Sequence, residues 1–307
     1  MGEPYLKYIE KLYTPGTTAC QGCGMVLAFR HAVEALGRNT VVIHAPGCMG
    51  WVSNMPGRTA HKLPAIMPCF ASSAAFASGL VRAYEILGRR NVNVFVLAGD
   101  GGTADIGLQA LSGAAERKDP IIYVCYDNEA YMNTGIQQSG STPYGAWTTT
   151  TPVGRLWKGK ERERKDVPLI MLAHKIPYLA TASVAYVEDY VKKVRKAARI
   201  STIERKGLSY IHIHSPCPPG WRIPSEKSIE VARLAVETGF WPLYEVVEGS
   251  FKFTVKPEKL KPIADYLKTQ GRFNHLTDQQ IAIIQESVNS KLAELERLAL
   301  AISRSTG

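Results

Sequence analysis

Residues 94–133 constrain the fold more than any other part of the chain. An apolar run, Val94-Phe95-Val96-Leu97-Ala98, ends in Gly99-Asp100-Gly101-Gly102. A helical pattern rich in small residues fills 104–117. A second apolar run, Ile121-Ile122-Tyr123-Val124-Cys125-Tyr126, then ends in Asp127-Asn128-Glu129-Ala130-Tyr131. Such continuous runs fit strands buried on both faces, and the helix between them makes the pair parallel. The stretch is predicted to be strand, tight turn, helix, strand, with polar groups at the carboxyl ends where open α/β sheets take ligands. Asp100 and Asn128 are oxygen donors suited to a hard cation such as Mg2+. The glycines beside Asp100 let backbone approach a diphosphate closely. A lone Gly-Asp-Gly is as readily a strand-to-helix turn; the second donor, one strand later, favours a metal–diphosphate site.

The same alternation extends outward. Helical spacing over 25–36 ends at Gly37, a C-cap residue. Val41-Val42-Ile43-His44-Ala45 is predicted to be a buried strand delivering Pro46-Gly47-Cys48-Met49-Gly50. Residues 51–67 look like a loop, and 71–87 form an Ala/Ser/Gly-rich helix. Further on, 167–173 and 187–201 are helical, and 178–182 and 208–214 are strands. The order predicts an α/β fold, a mainly parallel sheet with helices on both faces. A short helix or arm is expected over 1–13. Residues 134–154, rich in Gly, Ser, Thr and Pro, argue against a regular element, and a loop this long is commonly functional. Beyond 222 the chain looks more peripheral: a helix over 228–237, a hairpin from 241–245 and 251–255, a helix start at 263–267 and an amphipathic helix over 278–303. We divide the chain into a ligand-binding domain, 1–245, and a C-terminal helical extension, 246–307.

The 307 residues and 45% hydrophobic content support a sizeable core. No apolar run approaches the about 18–20 residues of a membrane span. No signal-like h-region follows Met1, so a cytoplasmic protein is expected. The net charge of +10 is spread along the chain. It lacks the concentrated basic face of a nucleic-acid binder and suits anionic partners: a diphosphate, a carboxylate, coenzyme A or an acidic electron carrier. Six cysteines are too few for a disulfide scaffold of this length. Cys20 and Cys23 form a C-x2-C knuckle among glycines; Cys48 and Cys217 lie in Gly- or Pro-flanked loops after predicted strands. Four thiolates of this kind hold zinc or an iron–sulfur cluster, and spacing alone does not separate the two. Cys69 and Cys125 lack such settings and are taken as structural. His44, His174, His212 and His214 are read as packed rather than catalytic.

Gly99-Asp100-Gly101 followed by Asn128 resembles the thiamine diphosphate motif. Two longer words narrow the resemblance: Gly-Gly-Thr-Ala-Asp-Ile-Gly-Leu-Gln-Ala-Leu-Ser-Gly (101–113) and Tyr-Met-Asn-Thr-Gly-Ile-Gln (131–137). They resemble the β subunits of archaeal and bacterial 2-oxoacid:ferredoxin oxidoreductases, above all the pyruvate type. The likeness is good over about 14–245 and weak beyond. It implies a thiamine diphosphate-binding fold with a peripheral C-terminal extension. Asp100, Asn128 and the Ala130 carbonyl would ligate Mg2+, and Gly99, Gly101 and Gly102 would lie against the diphosphate. Asn133 would polarise the substrate, and the loop 134–151 would cover the cofactor or meet a partner. Cys20, Cys23, Cys48 and Cys217 would hold a [4Fe-4S] cluster.

The implied activity is reversible oxidative decarboxylation of pyruvate to acetyl-CoA and carbon dioxide, with electrons passing through the cluster to ferredoxin. No glutamate here resembles the one that thiamine enzymes place against the aminopyrimidine. The family supplies it from another subunit, so the chain is expected to be inactive alone and to belong to a hetero-oligomer. Two departures bear on the substrate: Thr17 where many members have His, and Gly50 where many have Glu. They keep oxalate, or another 2-oxo acid, open beside pyruvate. Two further readings remain: a zinc-stapled α/β binding module, and a thiamine decarboxylase without electron transfer, which would need no four-cysteine set.

Overall fold

The computed structural model describes residues 11–53 and 59–305. In chain order the elements are α1 (Gly24–Leu36), β1 (Thr40–His44), α2 (Cys48–Ser53), β2 (Ala65–Ile66), α3 (Ser73–Ile86), β3 (Asn93–Gly99), α4 (Leu108–Glu116), β4 (Ile122–Asp127) and α5 (Val167–Ala173). There follow β5 (Tyr178–Ser183), α6 (Val187–Ala198), β6 (Ser209–His214), α7 (Pro218–Trp221), α8 (Ser228–Glu237), β7 (Leu243–Val247), β8 (Ser250–Val255), α9 (Ile263–Leu267) and α10 (Asp278–Ser305). The eight strands form one sheet in the order β2-β1-β3-β4-β6-β5-β7-β8. Its first six members run parallel; the β7–β8 hairpin adds two antiparallel strands.

The period-two alternation of a strand divides the core. Val42, Phe95, Leu97 and Val124 face α1 and α6. Their neighbours Val41, Val94, Val96 and Tyr123 face α3, α4, α5 and Leu295 of α10. Helices therefore cover both faces, as a mainly parallel sheet requires. A third apolar cluster joins Trp221, Trp241, Tyr266, Phe273, Ile284 and Val288 around α8, α9 and α10. The boundary expected between 245 and 246 falls within β7, so the hairpin carries the sheet into the C-terminal segment.

Two local expectations are corrected. Residues 51–67 are not wholly loop: α2 ends at Ser53 and β2 pairs with β1 at Val42 and Ile43. The helix after Asp100 opens as a wide turn over Gly101–Asp105 before α4. That turn presses the Gly102 carbonyl onto Gly107, where any Cβ would collide. The long loop after β4 is pinned by Lys160, whose buried ammonium donates to the carbonyls of Ser139, Gly140 and Thr142. Most of the arm expected over 1–13 lies outside the described residues; Tyr13 bridges His61. Among the described residues no helix is long and apolar enough to cross a membrane.

Candidate active site

β1, β3, β4 and β6 are consecutive, parallel neighbours, so their carboxyl ends open on one edge of the sheet. Each strand delivers one segment singled out in the sequence: Gly47-Cys48, Gly99-Asp100, Asn128-Glu129-Ala130 and Pro216-Cys217. A cavity of about 420 Å3 lies there. Its wall includes Gly99, Asp100, Gly101, Gly102, Asn128, Ala130 and Asn133. A Cβ on Gly101 would run into the Tyr131 ring, and one on Gly99 would stand 3.2 Å from Tyr126. Tyr131 is fixed over Gly101 by donating to Asp105 Oδ2 at 3.0 Å.

Three oxygen-bearing groups converge on the cavity. The Asn128 side-chain amide points one terminal atom at Ala130 O, 2.9 Å away, and at Asp100 Oδ1, 3.0 Å away. Nitrogen inward, the amide donates to both. Oxygen inward, it forms with them a triad that only a cation can hold together. An octahedral Mg2+ with bonds of about 2.0–2.1 Å separates adjacent ligand oxygens by about 2.9 Å, and the two separations match that edge. Asp100 is buried and accepts from Ser139 Oγ. Burial, followed by the nearby Asp127 charge, pushes its carboxyl well above the usual range. A bound cation would reverse that shift.

A second cavity of about 140 Å3 shares Cys48, Trp51, Asn128 and Asn133 with the first. Cys20, Cys23, Cys48 and Cys217 all line it. Glycines permit the assembly. A Cβ on Gly24 would stand 2.7 Å from Pro216 N and 2.8 Å from Ser215 C, where Gly24 N donates to Pro216 O at 3.0 Å. α1 thereby begins flush against the chain leading to Cys217. Burial pushes the Cys23 thiol up to about 11 and the Cys217 thiol up to about 12; the neighbouring thiols add to both effects. Burial raises Cys48 as well, while a hydrogen bond from Asn133 pulls it down. Asn133 thus stands in the partition between the cavities, against Cys48. Among the described residues no three His, Cys, Asp or Glu side chains close around a single metal ion; the thiols surround a volume.

Cys69 is exposed and outside both cavities, and Cys125 is buried in β4. His44 is buried with both ring nitrogens unpartnered, packed on Phe29. His212 donates from Nε2 to Asp127 Oδ2 at 2.7 Å, and its Nδ1 accepts from Tyr210. His214 is wedged between Trp221 and Trp241. None lines either cavity. Thr17 caps its own loop by accepting from Ala19 N. Gly50 does line the main cavity, and Met67 fills the space its side chain would take. Sequence reasoning missed Tyr131, Ser139 and the Glu129–Arg272 ion pair. Glu129 and Tyr131 stood in words the sequence singled out, but their contacts and burial were not readable from it.

Comparison with known proteins agrees with this geometry. Residues 45–213 match the thiamine pyrophosphate enzyme, C-terminal TPP-binding domain. Pyruvate synthase subunit PorB of Methanothermobacter thermautotrophicus is 52% identical over 93% of this chain and 98% of its own length. Ketoisovalerate oxidoreductase subunit VorB of Pyrococcus horikoshii is 45% identical over 94% of each. The solved 2-oxoglutarate:ferredoxin oxidoreductase of Magnetococcus marinus aligns with a TM-score of 0.55 at 23% identity, over 74% of this chain and 82% of that one, a likeness of fold. The chain belongs to the 2-oxoacid oxidoreductase β-subunit family, the group of thiamine pyrophosphate-binding enzyme subunits that includes PorB and VorB.

Proposed function

We propose that the chain is the thiamine diphosphate-binding β subunit of a 2-oxoacid:ferredoxin oxidoreductase, with pyruvate as substrate and coenzyme A as acyl acceptor. The observation that carries this reading is the pairing of two adjoining cavities: on one side the Asn128 amide 2.9 Å from Ala130 O and 3.0 Å from Asp100 Oδ1, on the other four thiols.

Asp100, Asn128 and the Ala130 carbonyl would hold Mg2+, and Gly99, Gly101 and Gly102 would admit the diphosphate. Bound there, thiamine diphosphate supplies the electron-sink chemistry that lets a 2-oxo acid lose carbon dioxide. The four cysteines would hold a [4Fe-4S] cluster, which supplies one-electron acceptance. The cavity of about 140 Å3 that the four thiols line has room for a cluster. Tyr126, Met67 and Phe70 give the cavity apolar walls. Asn133 faces Cys48 from the partition and would orient the carboxylate or carbonyl of the substrate.

Asp100 is the one acid lining the cavity among the described residues. That supports a glutamate arriving from another subunit, and Trp51 and Met67, 56% and 49% exposed at the cavity, offer apolar surface to such a partner. The functional unit is then a hetero-oligomer that passes electrons to ferredoxin.

The test is anaerobic. The chain is purified with its accompanying subunits, and methyl viologen reduction is followed with pyruvate and with oxalate, each with and without coenzyme A. Coenzyme A-dependent reduction by pyruvate is expected. Reduction by oxalate without coenzyme A would replace pyruvate and make Gly50 a specificity residue. A colourless preparation containing zinc would overturn the redox reading.

A further inference from the structure

Glu129 stands between Asn128 and Ala130, the two residues of β4's terminal loop that meet beside Asp100. The Asn128 side-chain amide stands 3.0 Å from Asp100 Oδ1 and 2.9 Å from the Ala130 carbonyl oxygen. For both to face the same point the chain must turn sharply between them, and Glu129 does so at φ +66°. That left-handed conformation is one glycine adopts freely and a side-chain-bearing residue adopts only under constraint. The position nevertheless carries a glutamate whose side chain is wholly buried.

The constraint is visible. The carboxylate pairs with Arg272, itself 2% exposed, and with Arg164 at 3.5 Å. Arg272 lies 4.1 Å over the Trp221 ring, and its Nε donates to Gln270 Oε1 at 3.0 Å. Arg164 lies 4.6 Å over Phe240 and donates to Phe240 O at 2.8 Å. Main-chain groups are held as firmly. Trp221 Nε1 donates to Asn128 O at 2.8 Å, Glu129 N donates to Asp127 Oδ1 at 2.8 Å, and Thr142 Oγ1 donates to Glu129 O at 2.6 Å. The loop is thus tied at the Asn128 carbonyl, at both main-chain groups of Glu129 and at its carboxylate.

We propose that Glu129, clamped by Arg272 and Arg164, is a positioning residue that presets the Asn128 and Ala130 oxygens for the divalent cation. Because Arg272 belongs to the C-terminal segment, that segment sets cation affinity. The inference rests on the Mg2+ reading of the oxygen triad. Groups that orient metal ligands typically change metal affinity 10–100-fold when removed, and that is the scale expected here.

The experiment uses the purified complex stripped with chelator and titrated with Mn2+ by electron paramagnetic resonance. Wild type, D100N, E129Q, E129G and R272K are compared, all well below their melting temperatures. Wild type binds and D100N does not. E129Q, nearly isosteric, binds about 10–100-fold more weakly, and the Mg2+ concentration for half-maximal activity rises in proportion while kcat at saturating Mg2+ is largely kept. R272K falls between, since it keeps the charge but loses the planar fork. E129G is weakened too, although its backbone is relaxed. Equal Mn2+ affinity in wild type and E129Q, with only a lower melting temperature, would overturn the clamp and leave the metal site standing. Wild-type affinity in E129G would overturn the role of the carboxylate. Absence of Mn2+ binding by wild type would overturn the metal reading and the clamp together.

Discussion

Gly24→Ala tests the four-thiol cavity without touching a thiol. The added Cβ would stand 2.7 Å from Pro216 N, about 0.7 Å inside ordinary 3.4 Å contact. What it meets is backbone, at Ser215 and Pro216, not the end of a flexible side chain. Overpacking of this kind costs about 1–3 kcal/mol, and α1 would have to retreat from the loop bearing Cys217. Metal–ligand bond lengths vary by only about 0.2 Å, so displacing the Cys217 loop is expected to impair the centre before it unfolds the chain. Iron and acid-labile sulfide per chain, with visible absorption, measure the effect on anaerobically prepared complex; a thermal melt measures stability. Wild type is expected to carry roughly four irons per chain in this centre, and G24A well under half as many at a melting temperature still far above the assay. Full iron in G24A, with an unchanged reduced-state paramagnetic signal, would refute the claim that α1 and the Cys217 loop must meet at van der Waals distance to build the site.

Other outcomes follow from the same structure. C217A is expected to lose the iron centre and C125A to keep it, because Cys125 is buried in β4 away from both cavities; metal analysis decides. Acid should weaken the fold early. Burial, with a smaller contribution from His61, holds His44 near 3, and burial holds His214 near 3. The unfolded chain takes up these protons below about 6.5 and the folded chain does not, so stability is lost as pH falls from 6.5 toward 3, at about 1.4 kcal/mol per pH unit per histidine. H44L should flatten that slope by one histidine's share in denaturant titrations at several pH values. K160M strands three loop carbonyls and should cost about 1–3 kcal/mol, seen as faster proteolysis within 134–165.

The sheet was legible because its strands are continuous apolar runs, as in 41–45 and 94–98, separated by helices of ordinary length. The hairpin of β7 and β8 was legible for a different reason, the alternation of Phe251-Lys252-Phe253-Thr254-Val255. α2 and β2 were not: six residues including Gly50, and two residues, are too short for either period to register. The sheet order around β6 and β5 was hidden as well, since nothing local in 178–183 or 209–214 states which strand lies beside β4. At the site, Asp100, Asn128 and the four cysteines announced themselves by chemistry and spacing, and the structure gathers them on one sheet edge. Their roles rest on the experiments above. The parts of Tyr131, Ser139 and Arg272 were hidden because they depend on three-dimensional proximity: Arg272 meets Glu129 across 143 residues.

The thiol cavity also has a timetable. Cys48 and Cys217 stand 169 residues apart in the chain, and they meet only after β1, β3, β4 and β6 have paired in register. Parallel pairing is non-local and slow to nucleate. On a ribosome adding 5–20 residues per second, roughly 10–30 s separate the emergence of the two. Any metal centre held by these thiols is therefore completed only after Cys217 has emerged and the strands have paired. Until then the first three cysteines wait as reduced, unligated thiols, and the organism must keep oxidants and competing metals away from them for that interval.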